Sequence, residues 1–271
     1  MNFLKCSIAL LLMMGTLVAG GAAAWPVHAS QETLLWLAGS GLIGLALGDT
    51  FYFSALVRLG PRRTLLLAAL VPVITSLLGV LLLGEVLTLR RVLGTVLTVG
   101  GVVWVISERA PATQNASGNV LDARTLKVGL LFAVLAALCQ SSGQLLVKAS
   151  GNDLSALEVS VVRLATGVVG IAVQLVVLRK VAAVAIPFQK FSTTGLIVIA
   201  TLLGTYAGVW LMNIGILNAP VGLAATLNST SPIFILPLAA IFLQERVSAR
   251  AVVGAVVAVI GIGVLMLQSG T

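Results

Sequence analysis

Charge is what this sequence has least of. Only 9% of its 271 residues are Asp, Glu, Lys or Arg, against about 25% in a soluble domain, so it could not cover a water-facing surface with polar groups. One histidine, His28, and two cysteines, Cys6 and Cys139, are too few soft ligands for a transition-metal centre. They are also too few for a disulfide framework. No cofactor and no metal are expected. No Walker-type phosphate loop occurs and no glycine pair follows a strand, so a nucleotide-phosphate site is not expected either.

What the chain has instead is apolar length. It is 59% hydrophobic, with a mean hydropathy of +1.14. Apolar runs recur at residues 6–24, 34–57, 64–84, 92–106, 128–147, 157–178, 192–216, 221–243 and 251–268. A helix needs about 17 to 25 such residues to cross a bilayer. The pattern predicts an all-α, polytopic transmembrane bundle of about nine spans, four before a polar segment at 107–127 and five after it. The first run, with Lys5 before it and small residues up to Ala29, also fits a secretory leader. More membrane follows it, however, and that requires no cleaved leader. Asn115-Ala116-Ser117 fits a glycosylation sequon, a triplet common by chance.

The net charge of +8 would suggest a nucleic-acid partner in a soluble protein. Here the basic residues sit in short gaps between apolar runs, where they set orientation in a lipid bilayer. With a cytoplasmic N-terminus, the inner side holds Lys5, Arg58, Arg62, Arg63, Arg109, Arg124, Lys127, Arg179, Lys180, Lys190, Arg246 and Arg250. Arg90, Arg91, Lys148 and Arg163 are left over. The bias predicts N-inside and C-outside.

The sequence also repeats. A shift of about 160 residues carries Gly44, Gly48, Pro72, Glu85, Arg90, Gly94 and Gly101 onto Gly204, Gly208, Pro232, Glu245, Arg250, Gly254 and Gly261. Between Pro72 and Gly101 about ten of roughly thirty positions are identical, where composition alone gives about three. The domain expectation is a first repeat at 1–106, a linker at 107–127 and a second repeat at 128–271. From the Gly48 helix to the Gly208 helix the chain advances five runs. Five is odd, so the second copy enters the membrane from the opposite side, as in inverted-repeat transporters.

At the repeated Pro-to-Glu segments the chain resembles a known family. Leu59-Gly60-Pro61, Leu70-Val71-Pro72-Val73, Leu83-Gly84-Glu85-Val86-Leu87-Thr88 and Gly94 to Gly101 are similar to the EamA-type repeat of the drug/metabolite transporter superfamily. Ala219-Pro220, Ser231-Pro232-Ile233, Leu243-Gln244-Glu245 and Gly254 to Gly261 match it again, with Gln244 in place of the usual glycine. The resemblance implies ten helices as two inverted five-helix repeats. Residues 6–24 align with the family's second helix, so the first repeat is expected to be incomplete. The resemblance also implies a cytoplasmic C-terminus, opposite to the charge bias, and both orientations stay open.

Candidate chemistry is sparse. Asp49 stands mid-run in Leu47-Gly48-Asp49-Thr50-Phe51-Tyr52, where insertion costs about 2.5–3.5 kcal/mol. It must face a cavity, hold a partner or take up a proton. The functional reading is a proton-coupling or substrate-amine site with Tyr52 nearby, and the structural one is helix glue. Tyr206, Trp210 and Asn213 stand at i, i+4 and i+7, one helix face, suited to an amphipathic solute or to plain packing. Gln140 and Gln144, beside Ser141 and Ser142, line a polar cavity or bond across helices. Pro72 and Pro232 free the carbonyls of Ala68 and Asn228, as hinges or as fixed kinks. Glu85 and Glu245 are expected to end helices and hold the following loops, and Arg163 to snorkel to the interface. The glycine pairs are expected to be packing seams.

The leading expectation is therefore a secondary transporter in a bacterial-type plasma membrane. It would move a small metabolite or drug-like solute by alternating access, driven by protons, a counter-ion or the solute's own gradient. The alternatives are an intramembrane enzyme, for which no nucleophile–base pair or carboxylate cluster is evident, and a non-transporting truncated membrane protein.

Overall fold

The computed structural model describes residues 2–107, 122–179, 195, 198–199, 201–230 and 249–266. Among them there is helix and no strand. The elements are α1 (Asn2–Ala19), α2 (Gln31–Ser40), α3 (Gly48–Leu59), α4 (Pro61–Ala68), α5 (Leu70–Leu83), α6 (Leu89–Ser107), α7 (Ala123–Ala149), α8 (Ala156–Val177), α9 (Gly208–Asn218), α10 (Val221–Asn228) and α11 (Ala249–Met266). Two π-helical stretches, Gly41–Leu47 and Thr201–Ala207, precede α3 and α9. Each apolar run read from the sequence overlaps described helix. Among the described residues five stretches are by themselves long and apolar enough to cross a membrane: Asn2–Ala19, Gln31–Leu59, Arg63–Leu83, Ala123–Ala149 and Ala156–Val177. Leu81, Leu89, Leu203 and Val177 are each more than 70% exposed, far more apolar surface than a water-facing protein tolerates. The fold is an all-α polytopic bundle.

Local chemistry sets the helix ends. Ser30 caps α2 by accepting from the Thr33 N–H at 3.1 Å. Ser155 and Glu158 form a capping box at the start of α8, the reciprocal arrangement that satisfies two orphan donors. Gly60, at φ +78, turns the chain into Pro61, the first residue of α4. Such a left-handed turn suits glycine, and proline suits the first helical position.

The chain divides into two compact units, and each takes material from both sequence halves. The first comprises Met1–Asp49 and Ser142–Ala219. In it α8 packs on the Gly41–Leu47 stretch, and α1 packs on α8 and on the Thr201–Ala207 stretch. The two π-helical stretches begin 160 residues apart (201 minus 41), the shift of the repeat. The Gly48 N–H donates to the Ile43 carbonyl, five residues back. Neither stretch was legible as π-helix. Its core is Cys6, Ala9, Met13, Leu45, Leu157, Val161 and Leu164, with Tyr206, Val209 and Trp210 against it.

The second unit comprises Thr50–Ser141 and Pro220–Thr271. Here α4 ends at Ala68 and α10 at Asn228, the residues four before Pro72 and Pro232. Ala69 (φ −65°, ψ −9°) and Ser229 (φ −70°, ψ −7°) adopt the same conformation at these breaks, each donating back to the carbonyls four and two residues earlier. Pro72 is buried in the first turn of α5. Pro232 lies outside the described residues, as do Glu245 and most of the 107–127 segment.

Among the described helices α6 and α11 form the broadest pair, and glycine makes it possible. A Cβ on Gly94 would meet Leu265 at 2.6 Å, and one on Gly101 the Gly254 carbonyl oxygen at 2.5 Å. As one number rises the other falls, so the pair is antiparallel. Of the other seam, Gly44 lies against Gly143, whose Cβ would fall 2.8 Å from the Gly44 Cα. At Gly204, by contrast, no atom of the described residues lies within 4 Å of a Cβ placed on it.

Glu85 departs from its expected role as holder of its own loop. Gly84 ends α5 at φ +65°, with the Glu85 N–H donating to the Gly79 carbonyl six residues back, a Schellman closure. This aims the Glu85 side chain at α10, where Oε1 accepts from the Val221 N–H at 2.8 Å. Pro220, the residue before that helix, has no side-chain oxygen to serve as a cap. Glu85 supplies the cap from a distant part of the chain.

Candidate functional site

The first unit gathers most of the polar candidates around α1, α8 and α9. Asp49 holds a partner: Lys5 Nζ donates to Asp49 Oδ2 at 3.3 Å, with both side chains part-buried. Lys5, read from the sequence as an orientation signal, is thus also the ion-pair partner of Asp49. A carboxylate at membrane depth needs such company, since neither charge alone is tolerated in hydrocarbon.

Arg163 does not snorkel. It is fully buried, in the second turn of α8, and its side chain turns inward rather than along the helix to the interface. Its Nη1 donates to Asn213 Oδ1. Asn213 Nδ2 donates to Ser160 Oγ at 2.7 Å, and Ser160 Oγ donates to the Ala156 carbonyl at 2.6 Å. The amide orientation of Asn213 is fixed by having a donor on one side and an acceptor on the other. Asp49 acts electrostatically on Arg163, so the two polar clusters feel one another.

The face expected from Tyr206, Trp210 and Asn213 splits between two neighbours. Tyr206 lies in the π-helical stretch, which carries an extra residue per turn and so rotates the faces before and after it by about 100°. Its hydroxyl bonds Thr16 Oγ1 of α1 at 2.9 Å, whereas Asn213 turns to α8. Trp210 meets Tyr206 edge-on at 6.0 Å. Gln144 is buried, and its Oε1 has no partner among the described residues.

The other candidates belong to the second unit. Tyr52 packs edge-on against Phe53 at 5.7 Å. Gln140 is half-buried on α7, and its neighbour Ser141 donates to the Val71 carbonyl at 3.2 Å, one residue before Pro72. Asn228, the last residue of α10, is exposed. Among the described residues no cluster of three or more His, Cys, Asp or Glu occurs that could hold a metal ion.

Sequence reasoning passed over Lys5 and Arg163 as site residues, and a signal was present. The helices at 6–24 and 157–178 correspond, and a shift of 158 residues (163 minus 5) superposes one basic residue on the other. A cation near the start of the corresponding helix in both copies, each bonded to a residue of the next apolar run of its own copy, is a pattern that orientation alone does not require.

No curated protein matches the chain. Seventeen chains of solved structures match. One, described only as a crystal structure of a protein, superposes with a TM-score of 0.73 at 21% identity, over 98% of this chain and 86% of that one. At that identity the likeness shows the fold alone. The EamA-like transporter family matches residues 1–107 and 127–267, nearly the whole length in two segments. The chain belongs to the EamA-like transporter family.

Proposed function

We propose that this protein is a secondary transporter that moves a small organic solute across a plasma membrane of bacterial type by alternating access between its two repeats. The observation that carries the reading is the reciprocity of equivalent elements. Helix α1 packs on the π-helical stretch of the second copy while α8 packs on that of the first, and Gly94/Gly261 exchanges with Gly254/Gly101 in an antiparallel crossing. A two-fold exchange across antiparallel helices is what inverted repeats produce, and inverted repeats give two like halves that can open to opposite sides. Domain limits of 1–106, 107–127 and 128–271 belong to this reading.

Asp49, Tyr52, Gln140, Gln144, Tyr206, Trp210, Asn213 and Asn228 are the pathway residues of the proposal, and Pro72 and Pro232 its hinges. Support for the hinges comes from the freed carbonyls, which leave α4 and α10 each ended four residues before a proline. Asp49 is the residue on which a proton or counter-ion would act, being the acidic member of an ion pair inside a span. The test is solute flux in proteoliposomes against a panel of small organic solutes, with and without a pH gradient. Flux of at least one solute that responds to the imposed gradient is expected. Its absence across anionic, neutral and cationic solutes rejects transport.

A further inference from the structure

Arg163 holds a pair of donors that nothing among the described residues fills. Its Nη1 donates to Asn213 Oδ1, while Nε and Nη2 are buried and have no hydrogen-bond partner. Nε and Nη2 share one edge of the planar guanidinium, the edge that can give two parallel N–H bonds to a carboxylate. Asn213 cannot turn to fill that edge, because its amide is held by Ser160, and Ser160 by the Ala156 carbonyl. The guanidinium is therefore fixed from one side and unfilled on the other. Buried N–H groups find acceptors in folded proteins with few exceptions, so the missing partner is an acceptor brought from outside.

Charge selects the kind of acceptor. Three described charges of the first unit act on one another, Lys5, Asp49 and Arg163, two cations and one carboxylate. Glu158 and Lys148, of the same unit, are engaged elsewhere, in the Ser155 capping box and with the Leu217 carbonyl. Asp49 bonds Lys5 and acts on Arg163 from further away. One monoanion brings the trio to neutrality. A phosphate dianion would overshoot it, and an amine would meet like charge.

The geometry points to a carboxylate subsite: Arg163 binds the carboxylate of a monoanionic organic solute side-on through Nε and Nη2, with Asn213 as the positioning residue. This names the solute class of the transport reading above and rests on it for its physiological role. Binding itself does not depend on transport.

The experiment uses the purified full chain in detergent, with sodium benzoate and sodium acetate as probes and sodium phosphate and benzylamine as controls at matched ionic strength. Thermal midpoint and tryptophan fluorescence are read, Trp210 standing three residues from Asn213. Benzoate is expected to give a saturable response, acetate a weaker one, and the controls none. Arg163→Lys keeps the charge and loses the paired donors, so benzoate affinity should fall at least about tenfold. The subsite is overturned if neither carboxylate gives a saturable response, if phosphate or benzylamine matches benzoate, or if Arg163→Lys binds as the parent does. Should that variant not fold, the selectivity of the unsubstituted protein decides alone. Carboxylate binding without flux of any solute in liposomes rejects the transport reading and leaves the subsite standing. Flux of other solutes with no carboxylate binding does the reverse.

Discussion

Gly94 and Gly261 cross so closely that a Cβ on Gly261 would fall 2.8 Å from the Gly94 carbonyl oxygen. The repeat carries this pair onto Gly254 and Gly101, which cross in the same way at the other end of the α6–α11 contact. Substitution should therefore have opposite signs at neighbouring positions. In a helix interior Gly→Ala gains about 1 kcal/mol from propensity where there is room. Gly100 and Gly263 have nothing among the described residues within 4 Å of a Cβ, so Gly100→Ala and Gly263→Ala should raise the thermal midpoint in detergent. Gly101→Ala and Gly261→Ala meet backbone atoms and should lower it, by the equivalent of about 1–3 kcal/mol. Equal midpoints for Gly261→Ala and Gly263→Ala would show that the crossing is not tight.

The Lys5–Asp49 pair yields a second prediction. Asp49→Asn is expected to abolish flux driven by a pH gradient while leaving exchange of solute across equal pH measurable. Undiminished proton-driven flux in that variant would remove Asp49 from the coupling step. In a double-mutant cycle with Lys5→Met, the pair should show a stability coupling of about 1 kcal/mol, modest because both side chains retain some exposure.

Asn213 joins two groups that would otherwise be buried without it. Asn213→Leu strands Arg163 Nη1 and removes the donor to Ser160 Oγ, which keeps its bond to the Ala156 carbonyl, and should cost about 3 kcal/mol or more. Asn213→Asp keeps an acceptor for the guanidinium and adds an opposite charge, so it should retain most of the stability. Thermal unfolding of the two variants side by side settles the matter, and a variant pair of equal stability would mean that the bond to Arg163 contributes nothing.

Glu85 caps α10 from afar, and the effect should be local. Glu85→Ala should cost about 1 kcal/mol and speed hydrogen exchange at Val221 and its neighbours. Glu85→Gln keeps the accepting oxygen and should exchange nearly as the parent does. If both variants exchange alike, the carboxylate charge rather than the bond holds the helix end.

The start of α7 gives a pH prediction outside the spans. Hydrogen bonds from the Thr125 side chain, and then from nearby backbone N–H groups, hold the Asp122 carboxyl below its ordinary range. A lowered folded-state value means the cap's contribution is present above the unfolded value and is lost as pH falls through the folded one. Protection of the Thr125 amide, whose N–H donates to Asp122 Oδ1 at 3.3 Å, should fall over that acid window. In Asp122→Ala it should be low and flat with pH.

Much of this protein was readable from its residues because membrane helices are local. Twenty apolar residues in succession have one stable backbone solution in hydrocarbon, so the all-α bundle followed from hydropathy alone. The repeat and the family resemblance rested on scarce residues, Pro72, Glu85 and Arg90 with their partners. The helix ends at Ala68 and Asn228 follow from proline's missing donor four residues on. The close crossing at Gly94 and Gly101 was legible as a seam, though not the helix it would meet.

Tertiary structure alone decided where the few polar side chains point. Arg163 near the start of an apolar run reads as a snorkelling cation, since a long side chain can reach the interface. Only the placement of Asn213, fifty residues on (213 minus 163), makes an inward path better. Glu85 reads as a loop anchor until α10 is seen to begin at its carboxylate. Tyr206, Trp210 and Asn213 read as one face until a π-helical stretch turns the first away from the last. Apolar periodicity is written into neighbouring residues, whereas a hydrogen bond needs a partner whose position depends on the whole fold.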